Sequence, residues 1–235
     1  VRRWSKFPAA IACVFVVTFA SGSAWIAFPY RTQEPLVSPL ERVTKEEASI
    51  SAASAEGADL ASLIAAFQPQ PHRSFCGPAT LATVLRADGD VSATEWGLFD
   101  SAIAGLRTFY GGMSLSDLAS LARANGLHTE LVRGDEFTVD SFRKRLRQNL
   151  AHAGDYVIIN YDRRVLNQAG AGHISAAGGY DSNRDAFLVL DQAAYRYPWT
   201  WVPTQELYEA TRTLDGAEYR GVLFVKGARA PDASH

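Results

Sequence analysis

The sequence predicts an α+β fold, in which a helical lobe carries a candidate nucleophile and a following antiparallel sheet carries its partners. Three observations predict it. Apolar residues recur at helical spacing from about residue 59 to residue 150, and strand-like apolar runs take over after Gly154. A turn-rich segment, Asp181-Ser182-Asn183-Arg184-Asp185, then joins two of those runs as a hairpin.

In chain order, Leu60, Leu63, Ile64 and Phe67 form one helical face, which Pro69 and Pro71 end. Phe75-Cys76-Gly77-Pro78 opens a second helix with Leu81, Val84 and Leu85 on one face and Gly89 beyond its end. Pro78 suits the first turn, where its missing N–H is not needed. Ser114-Leu115-Ser116-Asp117 reads as a helix start, and Asn125-Gly126 as its stop. Residues 127–133 alternate like a strand, and residues 139–150 form another helix. Strands follow at 156–161, 173–180, 186–190 and 221–226, with a short helix at 203–211.

The chain has 235 residues, 47% hydrophobic and 20% charged, with a formal net charge of -2, which suits one globular domain. Lys and Arg are scattered and no basic, aromatic-rich stretch occurs, which argues against nucleic acid as a partner. Val1-Arg2-Arg3-Trp4-Ser5-Lys6 is a positive start, and residues 7–28 are almost entirely apolar or small. That pattern reads as a signal peptide, or as an uncleaved anchor, since about 20 apolar residues span a bilayer. Either places the domain outside the cytoplasm, with membrane contact only through this segment. Cys13 is an apolar filler within it. Residues 29–57, rich in Pro, Glu, Ser and Ala, read as a tether or an arm lying on the domain. Residues 58–228 read as the globular domain and 229–235 as a tail.

Without the leader, Cys76 is the sole cysteine, so no internal disulfide can form. Cys76 opens a helix, where the dipole and free N–H groups favour a thiolate and can also stabilise an oxyanion. His173 and Asp191 close the two arms of the predicted hairpin, so their side chains can meet. Taken singly, a strand histidine or a strand-end aspartate is usually structural. A base oriented by a carboxylate beside a helix-end thiol is the generalised triad.

The ordered set Gln70-x5-Cys76-Gly77, Asn160-Tyr161, Gly172-His173-Ile174-Ser175, Gly178-Gly179-Tyr180, Leu190-Asp191, Tyr195-Arg196-Tyr197-Pro198, Trp201-Val202-Pro203 and Arg220-Gly221 resembles the phytochelatin synthase family. The match is to the bacterial type with a catalytic domain only, within the papain-like cysteine peptidase superfamily. It runs over about residues 59–226. The resemblance implies a papain-like fold and attack on the cysteinyl–glycine bond of glutathione. It implies Cys76 as nucleophile, His173 as base and acid, and Asp191 as the group holding the imidazole. Gln70, with the Cys76 N–H, would form the oxyanion hole, although Gln68 lies close enough in sequence to compete. Arg163 and Arg220 would grip substrate carboxylates unless they are plain surface arginines. Tyr161 and Gly172 join them in substrate binding, and Arg196 could supply a charge that the family has elsewhere. No cofactor is required, and cadmium or zinc would enter as glutathione thiolates. A homodimer is compatible with the sequence and not specified by it.

Departures from the family pattern shape the expected chemistry. Asp191-Gln192-Ala193-Ala194 stands where the family reads Asp-Val-Ala-Arg, and Ser175-Ala176 where it reads Ser-Pro. The cysteine-rich carboxy-terminal domain of longer members is also missing before His235. Hydrolysis of glutathione is therefore expected to outrun polymerisation. Two other readings remain open: a broader peptidase of exported peptides, and a non-catalytic thiol- or metal-binding module. Whether Arg163 and Arg220 face the Cys76 cleft discriminates the first of these.

Overall fold

The structure, a computed structural model, describes residues 41–43, 47, 55–197 and 199–227. The leader at 1–28, Cys13 and the tail at 229–235 lie outside the described residues. All described residues belong to the compact unit Pro35–His235. The chain order begins β1 (Glu41–Val43), α1 (Leu60–Ala66), α2 (Cys76–Ala87), α3 (Ala102–Gly111), α4 (Leu115–Ala124), β2 (His128–Arg133) and α5 (Val139–Leu150). It continues with β3 (Asp155–Asp162), β4 (Gly172–Asp181), β5 (Ala186–Leu190), β6 (Trp199–Pro203), α6 (Thr204–Thr211), β7 (Leu214–Asp215), β8 (Glu218–Tyr219) and β9 (Gly221–Lys226). One antiparallel sheet runs in the order β1-β6-β5-β4-β3-β9-β2, with β7 and β8 as a separate hairpin. Mixed helices over an antiparallel sheet give an α+β architecture.

Both faces of this sheet are covered, which is why its central strands read as continuous apolar runs. Side chains alternate between the two cores. Tyr156 and Ile158 of β3, with Leu223 and Val225 of β9, pack towards α1, α2 and α4. Val157, Ile159 and Tyr161, with Val222 and Phe224, pack towards α5 and α6. A bulge in β4 between Ala177 and Gly179 admits α1 closely: a Cβ on Gly178 would lie 2.7 Å from Leu60 Cδ1.

Local chemistry fixes the helix ends. Ser114 and Asp117 form a capping box at the start of α4, and Gly126, at φ +85°, ends it in the left-handed region. Among the elements without a clear sequence signal are α3, β6 and β1. The buried positions of α3 are Gly105 and Thr108, while Ile103 (67% exposed) and Tyr110 (65%) face outward, so its apolar spacing marks no core face. The five-residue β6 ends on Pro203 and pairs with β5 and with β1, which falls in the stretch read as tether or arm. The short helix expected from 203 begins at Thr204, because Pro203 completes the strand.

Candidate active site

The site lies at one end of the sheet. The register places the end of β3 against the start of β4 (Tyr161 opposite His173), the end of β5 beside β4 (Leu190 opposite Ala176), and the start of β9 beside β3 (Gly221 opposite Asn160). Asp191 is the first residue beyond β5. The start of α2 is tied to this sheet end by Thr80, whose hydroxyl lies 2.7 Å from the Cys76 carbonyl and 3.2 Å from the Ile174 carbonyl. Phe75 caps α2 without a side-chain hydrogen bond, so the first N–H groups of the helix remain available to an anion. Cys76 and His173 line one cleft of about 540 Å³ with Asn160, Gly172, Asp215 and Arg220.

The electrostatics favour a thiolate–imidazolium pair. Burial alone pushes the Cys76 thiol up, but a hydrogen bond and the charge of His173 pull it below its ordinary value, helped by the N–H groups of Ile174 and Gly77. Burial and the positive Arg163 both oppose protonation of His173. The charge of Asp191 and the hydrogen bond to Cys76 outweigh them, and the imidazole is raised above its ordinary value. His173 Nε2 lies 2.9 Å from Asp191 Oδ1. Charge and the close contact both draw the imidazolium to this carboxylate. The other ring nitrogen is left for the thiol. Burial pushes the Asp191 carboxyl up, yet Arg163 and His173 hold it well below the carboxylate range.

The residues expected to bind substrate separate into two groups. Arg220 lines the cleft, 5% exposed, with Nη1 2.8 Å from Asn160 Oδ1 and 3.2 Å from Asp215 Oδ2, and Nε 3.1 Å from Thr213 Oγ1. Gly172 lies against it: a Cβ there would sit 2.2 Å from Arg220 Nη1, so only glycine allows this approach. Arg163, 3% exposed, does not line the cleft. Its Nη2 is 2.7 Å from both Asp191 oxygens, its Nη1 donates to Gln168 at 2.8 Å, and its guanidinium lies 4.8 Å from the Tyr197 ring. Tyr161 is also buried behind the triad, edge-on to His173, with its hydroxyl 3.4 Å from Asp191 Oδ2. Of the Asn160-Tyr161 pair, it is Asn160 that lines the cleft. Tyr161, expected to bind substrate, faces away from the cleft, because strand alternation turns adjacent residues opposite ways.

Gln70 is buried beside the loop that follows Asp191. Its N–H donates to the Gln192 carbonyl at 2.8 Å and its Nε2 lies 3.3 Å from the Tyr195 hydroxyl. Its Oε1, and both amide atoms of the buried Gln192, have no hydrogen-bond partner among the described residues. Arg196 is half-buried beside Gly170 in the same loop region, and Ala194 is exposed. Asp215 carried no motif, because the two-residue strand it belongs to leaves no periodic trace. Among the described residues no group of three or more His, Cys, Asp or Glu could hold a metal ion.

A profile of phytochelatin synthase matches residues 38–222, most of the chain and every residue of this site. The chain belongs to the phytochelatin synthase family. It is 36% identical over 181 residues to glutathione gamma-glutamylcysteinyltransferase 3 of Lotus japonicus, covering 72% of this chain and 38% of that protein. Against glutathione gamma-glutamylcysteinyltransferase 1 of Triticum aestivum it is 30% identical over 214 residues, 85% of this chain and 43% of the relative. The fission yeast Schizosaccharomyces pombe has a glutathione gamma-glutamylcysteinyltransferase 28% identical over 173 residues, 69% of this chain and 42% of that protein. The chain thus spans less than half the length of these phytochelatin synthase relatives. Cys76, His173 and Asp191 all lie inside the matched span.

Proposed function

We propose that this chain is a glutathione-cleaving cysteine acyltransferase on a papain-like fold. The observation that carries the reading is a thiol–imidazole pair, Cys76 and His173, in one cleft with a cation and an anion, Arg220 and Asp215. The γ-glutamyl end of glutathione carries an α-carboxylate and an α-ammonium group, which such a pair can hold together. With that end anchored, the cysteinyl carbonyl meets Cys76. The thiolate adds to the carbonyl carbon, and the oxyanion is met by the Cys76 N–H and the Gln70 amide. The carbon–nitrogen bond then breaks, and the His173 proton passes to the departing glycine amine. The product is a γ-glutamylcysteinyl thioester on Cys76. Water, or the amine of a second glutathione, next adds to the thioester, gives its proton to His173 and expels the thiolate.

Which acceptor prevails depends on how the second glutathione is held. Ala194 offers no charge to an acceptor carboxylate, and losing one charge-assisted hydrogen bond forfeits about 1.5–3 kcal/mol. Hydrolysis to glycine and γ-glutamylcysteine is therefore expected as the main outcome. Metal ions act as part of the substrate, as glutathione thiolates. The apolar segment at 7–28 exports the domain or anchors it. Incubation of the full chain with millimolar glutathione, with and without cadmium, followed by product separation, tests all of this. Absence of glycine release overturns the assignment, and chains of γ-glutamylcysteine as the main product overturn only the hydrolytic balance.

Gly172→Ala tests the anchoring end. The added methyl forces the guanidinium of Arg220 from its place beside Asn160 and Asp215. The KM for glutathione is expected to rise by about tenfold or more, the equivalent of one charge-assisted contact. Alkylation of Cys76 by a small reagent should be unchanged. An unaltered KM would detach Arg220 from substrate binding.

A further inference from the structure

We propose that Arg163 is a positioning residue of the triad, holding the Asp191 carboxylate and balancing its charge, and not a substrate-binding residue. The inference rests on the Cys76–His173 reading, which it extends to the group behind it. Arg163 follows β3, the strand that carries Asn160 and Tyr161, yet its guanidinium turns away from the cleft. Both terminal nitrogens of its guanidinium are engaged within the protein. Nη2 reaches both oxygens of Asp191, Nη1 reaches Gln168, and the Tyr197 ring lies against the guanidinium. The Tyr197 hydroxyl in turn accepts the Ala169 N–H at 2.5 Å, so ring and loop are fixed together. The Ala171 carbonyl accepts the Arg163 N–H at 3.1 Å, closing the loop that leads to Gly172 and His173. A side chain 3% exposed, engaged by Asp191 and Gln168 and absent from the lining of the cleft, is turned from any carboxylate bound there.

Charge explains why such a group is needed. The reactive state holds a thiolate, an imidazolium and the Asp191 carboxylate, a net charge of minus one in a buried site. Arg163 brings that sum to zero. It also opposes the imidazolium directly and is attracted to the Cys76 thiolate. The remaining titratable groups around it are Tyr161, Tyr195 and Tyr197, with Arg196 across Gly170. Burial pushes the phenols of Tyr161 and Tyr195 above their ordinary range, so neither supplies charge near neutral pH. Removing the Arg163 charge must therefore make the thiolate harder to form and the imidazolium harder to lose. Both limbs of the pH profile move to higher pH.

The test alkylates the full chain with iodoacetate across pH, with the Cys76→Ala chain as blank for Cys13. An anionic reagent reads both limbs, because it reacts with the thiolate and is drawn by the imidazolium, and it needs no glutathione. In Arg163→Gln both limbs should shift to higher pH, the upper one by about one unit, as expected for loss of a nearby charge. Arg163→Lys keeps the charge but cannot reach Asp191 and Gln168 together. Its limbs should stay in place while kcat for glycine release falls about tenfold or more and KM stays within about twofold. Unmoved limbs in a folded Arg163→Gln chain, or a raised KM with normal kcat in Arg163→Lys, overturn the proposal. Should Arg163→Gln fail to fold, the Arg163→Lys kinetics decide alone. A wild-type chain with no two-limbed profile overturns the Cys76–His173 reading itself, a failure distinct from either of these.

Discussion

Cys76→Ala is expected to abolish glycine release from glutathione while leaving the fold in place. In the proposed mechanism the thiol is the atom that bonds to substrate carbon, and no other cysteine is found among the described residues. Alanine suits the first turn of α2 at least as well as cysteine, and the half-buried site loses only one sulfur atom. Cys76→Ser should be nearly as inactive, because a serine hydroxyl is a weak nucleophile without a base matched to it. His173→Ala belongs with these variants. Triad members act as a unit, and removing one can cost on the order of 10⁶ in kcat. Glycine release by purified chains of equal circular dichroism measures the effect. Turnover in Cys76→Ala above the background of glutathione alone sinks the covalent mechanism, whatever the other variants do.

The meeting of Cys76, His173 and Asp191 was more legible in the sequence than the placement of their surroundings, for a physical reason. Cys76 announces itself by standing before a helical run with a proline in its first turn. His173 and Asp191 are marked by a hairpin whose strands, β4 and β5, are joined by turn residues. Those signals are local. Burial is not local, and it decides what an arginine does. Arg163 and Arg220 look alike in the sequence, but one faces the triad's carboxylate from behind and the other faces the cleft. Tyr161 and Asn160 differ by one position in a strand, which is enough to put them on opposite faces. Asp215 and α3 left no trace, the first because its strand is too short, the second because its apolar residues point outward. The central strands were legible because two covered faces demand apolar residues at every position, a pattern hard to confuse with a loop.

Gln70→Ala is the second large effect expected, a loss of about 10²–10³ in kcat with little change in KM. An oxyanion-hole donor is used when charge develops on the carbonyl oxygen, so its removal weakens the transition state far more than the ground state. The position of Gln70 supports the assignment by constraint. Its backbone is fixed to the Gln192 carbonyl, one residue beyond Asp191, and its amide is steadied by the Tyr195 hydroxyl. The side chain therefore cannot drift away from the sheet end that carries the triad. It is also buried, so the amide acts where water is excluded and a hydrogen bond to a developing charge is strengthened. Gln68 is the internal control. Its N–H is bound to Thr83 Oγ1 at 3.1 Å, which holds its backbone to α2, and its side chain is half-buried. Gln68→Ala should leave kcat within about threefold of the parent chain, a barrier change of under about 1 kcal/mol. A normal kcat in Gln70→Ala together with a large loss in Gln68→Ala would transfer the oxyanion role to Gln68. Normal rates in both would leave the backbone N–H groups at the start of α2 as the whole of the hole.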